Sequence, residues 1–177
     1  EAARGKLPII AEDLGELFPS VRKLLADSTF PGMKVLQFAF SGGDSEYLPH
    51  NHVKNSVVYP GTHDNTTITA WWESAATPKE KATAAAYLHL TGAHPTAKEL
   101  AAVKTADART ALLRAALGSV ADRAIIPMYD WLGLGEEAHL NTPGKLGGNW
   151  AWRAEAGFES KTLAKTIADE CSVYCRV

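Results

Sequence analysis

Short apolar, β-branched runs alternate with helical segments along most of this chain. Residues 6–11, 33–40, 56–59 and 124–128 each have the length and composition of a buried strand. Between the first two runs, residues 19–26 carry apolar side chains at helical spacing, and Pro31 and Gly32 end that segment. Because strands that alternate with helices pair in parallel, this order predicts an α/β fold with a parallel sheet.

Helical composition dominates two further regions of the chain. Residues 66–74 follow the third strand, and residues 77–119 are rich in Ala, Leu, Lys and Glu with a break at residues 92–95. The second region predicts two or three helices inserted before the last strand. We therefore predict one unit over residues 1–153, containing a helical insertion at 77–119, and a helical tail over residues 154–177.

The distinctive polar clusters of the sequence each follow the carboxyl end of a predicted strand. In (β/α)₈ barrels the active site is built at that end of the sheet. A complete barrel takes about 250 residues and eight strands, whereas this chain has 177 residues. The pattern predicts the C-terminal half of a TIM (β/α)₈ barrel.

Charge and composition exclude several classes of partner. Lys and Arg total 18 against 20 Asp and Glu, and a net charge of -2 gives no attraction to nucleic acid. No apolar stretch approaches the roughly 20 residues that cross a bilayer, so we expect no membrane span. The segment 41–44 lacks the residues of a phosphate-binding loop, which gives no reason to expect a nucleotide.

Metal ligands are also missing from the sequence pattern. Cys171 and Cys175 have no further Cys or His beside them, so they cannot form a four-ligand zinc site, and free thiols on one helix face are expected. His50, His52 and His63 are not completed by a carboxylate or a Cys. We expect neither a metal nor a cofactor.

Two carboxylates at the ends of predicted strands are the candidate catalytic groups. Glu12 ends the first strand and Asp64 follows the third. Since side chains alternate along a strand, Glu12 faces the barrel mouth if Ile10 does, and Asp13 then faces away. A carboxylic acid that protonates a leaving oxygen and a carboxylate that opposes positive charge are the groups that cleave glycosidic bonds.

Structural roles remain open for the same residues. Glu12 and Asp64 could instead cap the helices that follow them, which is a common use of acidic residues after strands. His63 could donate to a sugar hydroxyl or serve as a structural hydrogen-bonding group. The paired tryptophans Trp71-Trp72 and Trp150 with Trp152 could stack on sugar rings or pack in the core.

Five segments carry a family resemblance in their order along the chain. They are IIAEDLG at 9–15, PGMKVLQFAF at 31–40, LPHN at 48–51, GTHDN at 61–65, and NTPG through GNW at 141–150. Together they resemble the 4-α-glucanotransferases called amylomaltase or disproportionating enzyme, glycoside hydrolase family 77. The resemblance implies an α-amylase-type barrel, and it covers about residues 7–153.

The resemblance also implies roles for individual residues. Glu12 would be the general acid/base, and Asp64 would stabilise the transition state. His63 would hold hydroxyls of the sugar at the cleavage site, and the loop around Asn141 would border the acceptor side. His50 and Asn51, in the LPHN segment, are expected to join the substrate-binding residues.

The implied activity is transfer of α-1,4-glucan segments by a retaining mechanism, with maltooligosaccharides as substrates. The family nucleophile is an Asp upstream of the segment at 9–15, so we expect it outside this chain, which is then an inactive fragment. If the chain were active alone, Asp13 or Asp130 would have to serve as the nucleophile. Thr66 also departs from the family, which commonly has an acidic residue there.

Two other functions stay open, namely an α-glucan hydrolase of the amylase clan and a non-catalytic glucan-binding module. A product assay on the full-length protein separates them from the transferase. The forms of the segments at 48–52 and 59–61 look more like plant and algal plastid enzymes. The expected location is therefore the plastid for a plant or algal source and the cytoplasm otherwise.

Overall fold

The computed structural model describes residues 8–15 and 17–176. Helices and short parallel strands alternate through the described chain, with single turns of 3₁₀ helix at Leu36–Phe38, Pro49–Asn51 and Glu136–Ala138. The helices are α1 (Pro19–Ser28), α2 (Ile68–Ala70), α3 (Pro78–Tyr87), α4 (Ala97–Ala102), α5 (Thr105–Leu117), α6 (Met128–Leu132) and α7 (Lys161–Val173), and the strands are β1 (Gly32–Val35), β2 (Ser56–Tyr59) and β3 (Arg123–Ala124).

The three strands form one parallel sheet in the order β1-β2-β3. Met33 pairs with Val57 across the first ladder, and Val57 pairs with Arg123 across the second. The α/β class and the parallel pairing predicted from the sequence are confirmed. The carboxyl ends of all three strands lie at one edge of this sheet, which is where the polar segments follow.

The second predicted strand, over residues 33–40, is too long. β1 ends at Val35, and Leu36–Phe38 forms a turn of 3₁₀ helix. β2 is followed by Pro60, which has no N–H to continue the ladder, and Gln37 instead donates its backbone N–H to the Pro60 carbonyl at 3.1 Å. The apolar pattern continues past the strand because Leu36 and Phe40 are buried in the core.

The predicted strands at both ends of the set also differ from the structure. β3 covers only Arg123–Ala124 rather than 124–128, because Pro127 lacks a ladder donor and caps the start of α6. Of the predicted strand over 6–11, residues 6 and 7 lie outside the described residues. Residues 8–11 are not strand, although Ala11 donates its N–H to the Pro31 carbonyl at 2.9 Å.

Helix boundaries follow local signals closely. Pro19 begins α1, and Thr77 caps α3 by a capping box with Glu80. Three helices, α3 to α5, occupy the segment 77–119, and the predicted break lies between α3 and α4. The helix predicted over 66–74 is α2 followed by a π-helical turn over Trp71–Ala75. The division into domains stays a prediction.

The hydrophobic core lies between the sheet and helices α2, α3 and α5. Phe40 packs against Trp71 with ring centroids 5.9 Å apart, and Trp71 packs against Trp72 at 6.3 Å. Both tryptophans are only 5% exposed. Of the two roles left open for this pair, the structure therefore supports packing in the core.

The C-terminal helix is attached to α5 by charged side chains. Arg114 donates to Glu170 at 2.7 Å, and the Arg176 guanidinium donates to the carbonyls of Leu117, Ser119 and Ala121. Cys171 and Cys175 are free thiols, as expected. Within residues 8–15 and 17–176, no helix combines the length and apolar character needed to cross a bilayer.

Candidate active site

A cleft of about 410 Å³ opens at the carboxyl ends of the strands. It is bounded by the segment before α1, the turn after β2 and the segment around β3 and α6. Its walls combine apolar side chains with two carboxylates. The lining residues include Ile10, Glu12, Tyr59, Thr62, His63, Asp64, Ile125, Tyr129 and Leu140.

Glu12 and Asp13 have opposite environments although they are neighbours in the sequence. Glu12 is exposed and lines the cleft, whereas Asp13 is buried and accepts the Met33 backbone N–H at 2.6 Å. A Cβ at Gly32 would overlap the Asp13 carboxylate, so glycine is needed there for this contact. Asp13 therefore fixes the Glu12 segment to the start of β1 and leaves the Glu12 side chain exposed at the cleft.

The turn that carries Asp64 is held by its own side chains. Asn65 accepts hydrogen bonds at 2.9 Å from both the backbone N–H and the hydroxyl of Thr62, and Asp64 donates its N–H to that hydroxyl oxygen at 3.2 Å. This closed turn leaves the side chains of His63 and Asp64 exposed to the cleft. Local hydrogen bonding thus sets the direction of both groups.

Capping does not account for Asp64. The N-cap of α2 is Thr67, whose hydroxyl accepts the Ala70 N–H at 3.1 Å. The N–H of Ile68 is accepted by Asp130 at 2.8 Å. The helix donors that Asp64 would satisfy therefore have other partners, and its carboxylate is available to the cleft.

Buried Gln37 supports the turn from below. Its amide donates to the Thr66 carbonyl at 2.8 Å, and a Cβ at Gly61 would lie 2.6 Å from the Gln37 amide nitrogen. Gly61 is therefore required by close approach rather than by its backbone angles. The GTHDN and PGMKVLQ segments, separate in sequence, form one structural unit at the cleft.

Two side chains contact the Asp64 carboxylate, and a third packs on one of them. Asn141 donates its side-chain amide to Asp64 Oδ1, and His63 Nε2 lies 3.3 Å from the same oxygen. The backbone N–H of Asn141 also donates to the His63 carbonyl at 3.1 Å. Trp150 packs on the His63 ring with centroids 4.9 Å apart. The structure thus joins Asn141, His63 and Asp64, three of the predicted site residues, in one group.

Thr66 contacts an acidic residue from another part of the chain. Its hydroxyl donates to Glu136, which also lies 3.0 Å from His139 Nδ1. Burial acts to raise the pKa of Glu136, but the hydrogen bonds from Thr66 and His139 outweigh it and hold the pKa below its usual value. A carboxylate is thereby present beside Thr66, although residue 66 itself is not acidic.

Helix α6 supports the Asp64 turn from the protein interior. The Tyr129 hydroxyl donates to the Thr62 carbonyl at 3.4 Å, and Asp130 accepts the Ile68 N–H beyond the turn. Burial raises the pKa of Asp130 to about 7, opposed by that hydrogen bond and by the charge of Arg109. Burial, together with the charge of Asp130, also raises the pKa of Tyr129.

Sequence reasoning did not find this supporting role. The sequence suggests Asp130 only as a substitute nucleophile, and its position after a short strand gives no sign of the distant Ile68 N–H. Its carboxylate is 1% exposed and bonded to backbone, and buried Asp13 is similar. Neither carboxylate is presented to the cleft as a nucleophile would have to be.

His50 and Asn51 lie apart from this group. Among the described residues that line the cleft, neither is present. His50 Nδ1 lies 2.9 Å from the Tyr87 hydroxyl, and Asn51 donates to Asp44 at 2.5 Å. Their role in substrate binding stays a prediction. In the part of the chain that the structure describes, no three His, Cys, Asp or Glu side chains are grouped to hold a metal ion.

Exposed carboxylates in a cleft at the ends of parallel strands are typical of enzymes that act on glycosidic bonds. Comparison with known proteins identifies the family. The family model of glycoside hydrolase family 77, described as 4-alpha-glucanotransferase, matches residues 1–159. This chain therefore belongs to the 4-alpha-glucanotransferase family.

Individual relatives agree with the family model. The chain is 44% identical over 177 residues to the chloroplastic/amyloplastic 4-alpha-glucanotransferase of Arabidopsis thaliana, covering 98% of this chain and 28% of that protein. It is also 44% identical over 156 residues to the 4-alpha-glucanotransferase of Thermus thermophilus, covering 86% of this chain and 30% of the relative. The chain thus spans less than a third of either protein.

A solved structure gives the same result for the fold. The amylomaltase from Streptococcus agalactiae in complex with acarbose superposes with a TM-score of 0.81 and 32% identity, over 96% of this chain and 32% of that one. The amylomaltase from Corynebacterium glutamicum, at 18% identity and a TM-score of 0.58, shares the fold. These strands and helices therefore correspond to about a third of an amylomaltase.

Proposed function

We propose that the full-length protein is a 4-α-glucanotransferase that moves α-1,4-glucan segments from a donor to an acceptor glucan or glucose. The observation that carries the proposal is the family match over residues 1–159. It is supported by the presence of Glu12 and Asp64 in one cleft. The substrate class is suggested by the amylomaltase relative, whose structure contains acarbose.

Glu12 acts as the general acid/base in this proposal. As an acid it protonates the departing glycosidic oxygen while the bond from that oxygen to the anomeric carbon breaks and the nucleophile carboxylate bonds to that carbon. As a carboxylate it then takes the proton from the 4-hydroxyl of the incoming glucan, whose oxygen bonds to the anomeric carbon as the bond from that carbon to the nucleophile breaks. Its exposure in the cleft suits a side chain that must exchange protons with two sugar oxygens.

Asp64 stabilises the positive charge that develops on the sugar ring between these two steps. An ionised carboxylate is most effective when it is already oriented, because no reorganisation is then needed as charge develops. Asn141 and His63 provide that orientation by their contacts with Asp64 Oδ1. His63 additionally offers its ring to the sugar hydroxyls at the cleavage site.

The described residues form the C-terminal half of a (β/α)₈ barrel in this proposal. The parallel order β1-β2-β3 and the superposition on about a third of an amylomaltase support it. The nucleophile is an Asp from a strand that precedes the segment 9–15. In a retaining enzyme it stands about 5–5.5 Å from the acid/base and forms the covalent glycosyl intermediate.

Incubation of the full-length protein with maltotriose tests the activity. A transferase converts two maltotriose molecules into maltopentaose and glucose, which chromatography of the products resolves. A hydrolase of the amylase clan gives glucose and maltose without longer products, and a binding module gives no new product. Either result would overturn the transferase proposal.

The same assay on residues 1–177 alone tests the proposal that the nucleophile lies elsewhere. We expect no turnover, and sedimentation is expected to show association, because an incomplete barrel leaves strand edges and apolar side chains open to water. A monomeric chain that redistributes maltotriose would contradict this. For a plant or algal source we propose a plastid location, as in the names of the Arabidopsis thaliana and Solanum tuberosum relatives.

A further inference from the structure

Trp150 stands at the rim of the cleft with most of its ring uncovered. One side of the indole packs on His63, with ring centroids 4.9 Å apart and an interplanar angle of 41°. The residue is 53% exposed, although an indole in a stable fold normally gains most from burial. The other tryptophans of the same neighbourhood differ, since Trp152 contacts the edge of Tyr129 and is half-buried.

The backbone at Trp150 is in the left-handed region, with φ of 61°. Gly147 and Gly148, just before it, have φ of 81° and 76° and adopt these angles without a steric penalty. A tryptophan in this region carries a steric cost that glycine would remove, and such positions concentrate at functional sites. The chain therefore retains an indole where glycine would fit the backbone better.

Several hydrogen bonds hold the strained residue in place. The Trp150 N–H donates to the Leu140 carbonyl at 2.6 Å, and its carbonyl accepts from Arg153 at 2.8 Å. Asn149 closes the preceding loop by accepting the Thr142 N–H at 3.1 Å and donating to the Lys145 carbonyl at 3.0 Å. These bonds hold the indole beside the cleft, packed on His63 on one side and 53% exposed overall.

We propose that Trp150 is a stacking platform for one glucosyl ring of the bound glucan, next to the ring held by His63 and Asp64. The proposal rests on the proposed function, because it takes an α-1,4-glucan as the ligand. The apolar C–H face of a pyranose ring covers the exposed indole face, and its hydroxyls at the ring edge remain free for hydrogen bonds. Asn141 and His63 lie on the same side of the cleft to supply them.

Binding to the full-length protein carrying Glu12→Gln tests the platform without turnover. Calorimetric titration with maltoheptaose is expected to show a Kd about tenfold higher for Trp150→Ala, since loss of a good aromatic contact is worth about that factor. Trp150→Phe keeps a ring and should stay within about threefold. Leu146→Ala, at a 99% exposed residue of the same loop, is the matched control and should leave the Kd unchanged.

Thermal unfolding of Trp150→Gly separates binding from a structural role. Glycine removes the steric cost of the positive φ, so the variant should melt at the same temperature as the parent or higher, while binding glucan as weakly as Trp150→Ala. A lower melting temperature with unchanged Kd would overturn the proposal and make Trp150 a packing residue.

The two proposals fail in different ways. If the Glu12→Gln protein binds no maltooligosaccharide, the proposed function is contradicted and the platform falls with it. If it binds maltoheptaose equally well with and without Trp150, the function stands and only the platform is overturned.

Discussion

Two carboxylates at the cleft contrast with two buried carboxylates beneath it. Glu12 and Asp64 are exposed at the cleft, and within residues 8–15 and 17–176 neither accepts a backbone N–H of a helix or strand. Asp13 and Asp130 are buried, and each accepts one backbone N–H, from Met33 and Ile68 respectively. Both layers therefore carry the same functional group, a carboxylate, and its hydrogen-bond partner and burial determine its role.

The difference follows from the cost of burying charge. A buried carboxylate must be hydrogen-bonded or neutral, and an acceptor committed to a backbone N–H holds that backbone in place. An exposed carboxylate keeps its acceptor capacity for a ligand. The proposed function accordingly assigns the chemistry on the sugar to the exposed pair, with proton transfer by Glu12 and charge stabilisation by Asp64, while the buried pair holds the segments that carry them.

The sharpest test of this contrast exchanges neighbouring carboxylates for amides in the full-length protein. Glu12→Gln should lower glucan transfer by about 10²- to 10⁴-fold, because an amide cannot shuttle a proton. Asp13→Asn should keep transfer within about threefold, because the amide oxygen can still accept the Met33 N–H. Initial rates of maltotriose disproportionation provide the measurement.

Binding completes this first test. Maltooligosaccharide affinity of Glu12→Gln should remain close to that of the parent, since the amide preserves shape. Near-native turnover of Glu12→Gln would remove it from the acid/base role. Loss of transfer in Asp13→Asn, with the fold intact by circular dichroism, would show that the buried carboxylate takes part in the chemistry.

The second prediction applies the same exchange to Asp64. Asp64→Asn should lower kcat by about 10²-fold with KM within about threefold, because the charge is needed mainly when positive charge develops on the sugar. Asn65 and Thr62 hold the turn independently of this carboxylate, so the fold should be retained. Weaker binding at unchanged turnover would instead make Asp64 a residue that only positions substrate.

Sequence patterns predict those parts of the fold that depend on local chemistry. The β-branched run at 56–59 gives the bounds of β2. Pro19 and Thr77 mark the starts of α1 and α3. The length of β1 cannot be predicted in this way, because its ladder is limited by Pro60, which follows β2, and only the assembled sheet shows that pairing. β3 is shorter than predicted because Pro127, inside the predicted segment 124–128, has no N–H to donate.

The site is predictable to a similar extent. Motifs indicate Glu12, Asp64 and Asn141, because each stands in a distinctive short segment. Nothing in the sequence indicates that Asp130 holds the Ile68 N–H, 62 residues away, or that Tyr129 reaches the Thr62 carbonyl. Long-range contacts of this kind leave no local pattern.

The third prediction concerns the buried layer and pH. Burial raises the pKa of Asp130 from 3.8 to about 7, so between these values the folded protein holds a proton that the unfolded chain has lost. Stability due to this group therefore falls as pH rises through that window and is constant above it. Asp130→Asn, which keeps an acceptor for Ile68, removes this dependence.

Thermal or urea unfolding of the full-length protein at several pH values checks the expectation. The free energy of unfolding of Asp130→Asn, relative to that of the parent, should rise by about 4 kcal/mol between pH 4 and pH 8. Asp122→Asn is the control, since Asp122 is exposed at the surface before β3. A difference that stays constant with pH would show that Asp130 is ionised throughout in the folded protein.

The smallest expected effect is at Asn141, where the resemblance and the geometry suggest different roles. A residue that binds the acceptor should raise KM when removed, whereas one that orients Asp64 should lower kcat. Because its amide donates to Asp64 Oδ1, we expect Asn141→Ala to lower kcat about 3- to 10-fold, the range of one hydrogen bond, with KM nearly unchanged. Asn55→Ala, whose amide donates to the Thr29 carbonyl at 3.1 Å on another part of the surface, is the control. A rise in acceptor KM at constant kcat would instead show that Asn141 binds the substrate. Support of the Asp64 turn would then come from α6, through Tyr129 and Asp130.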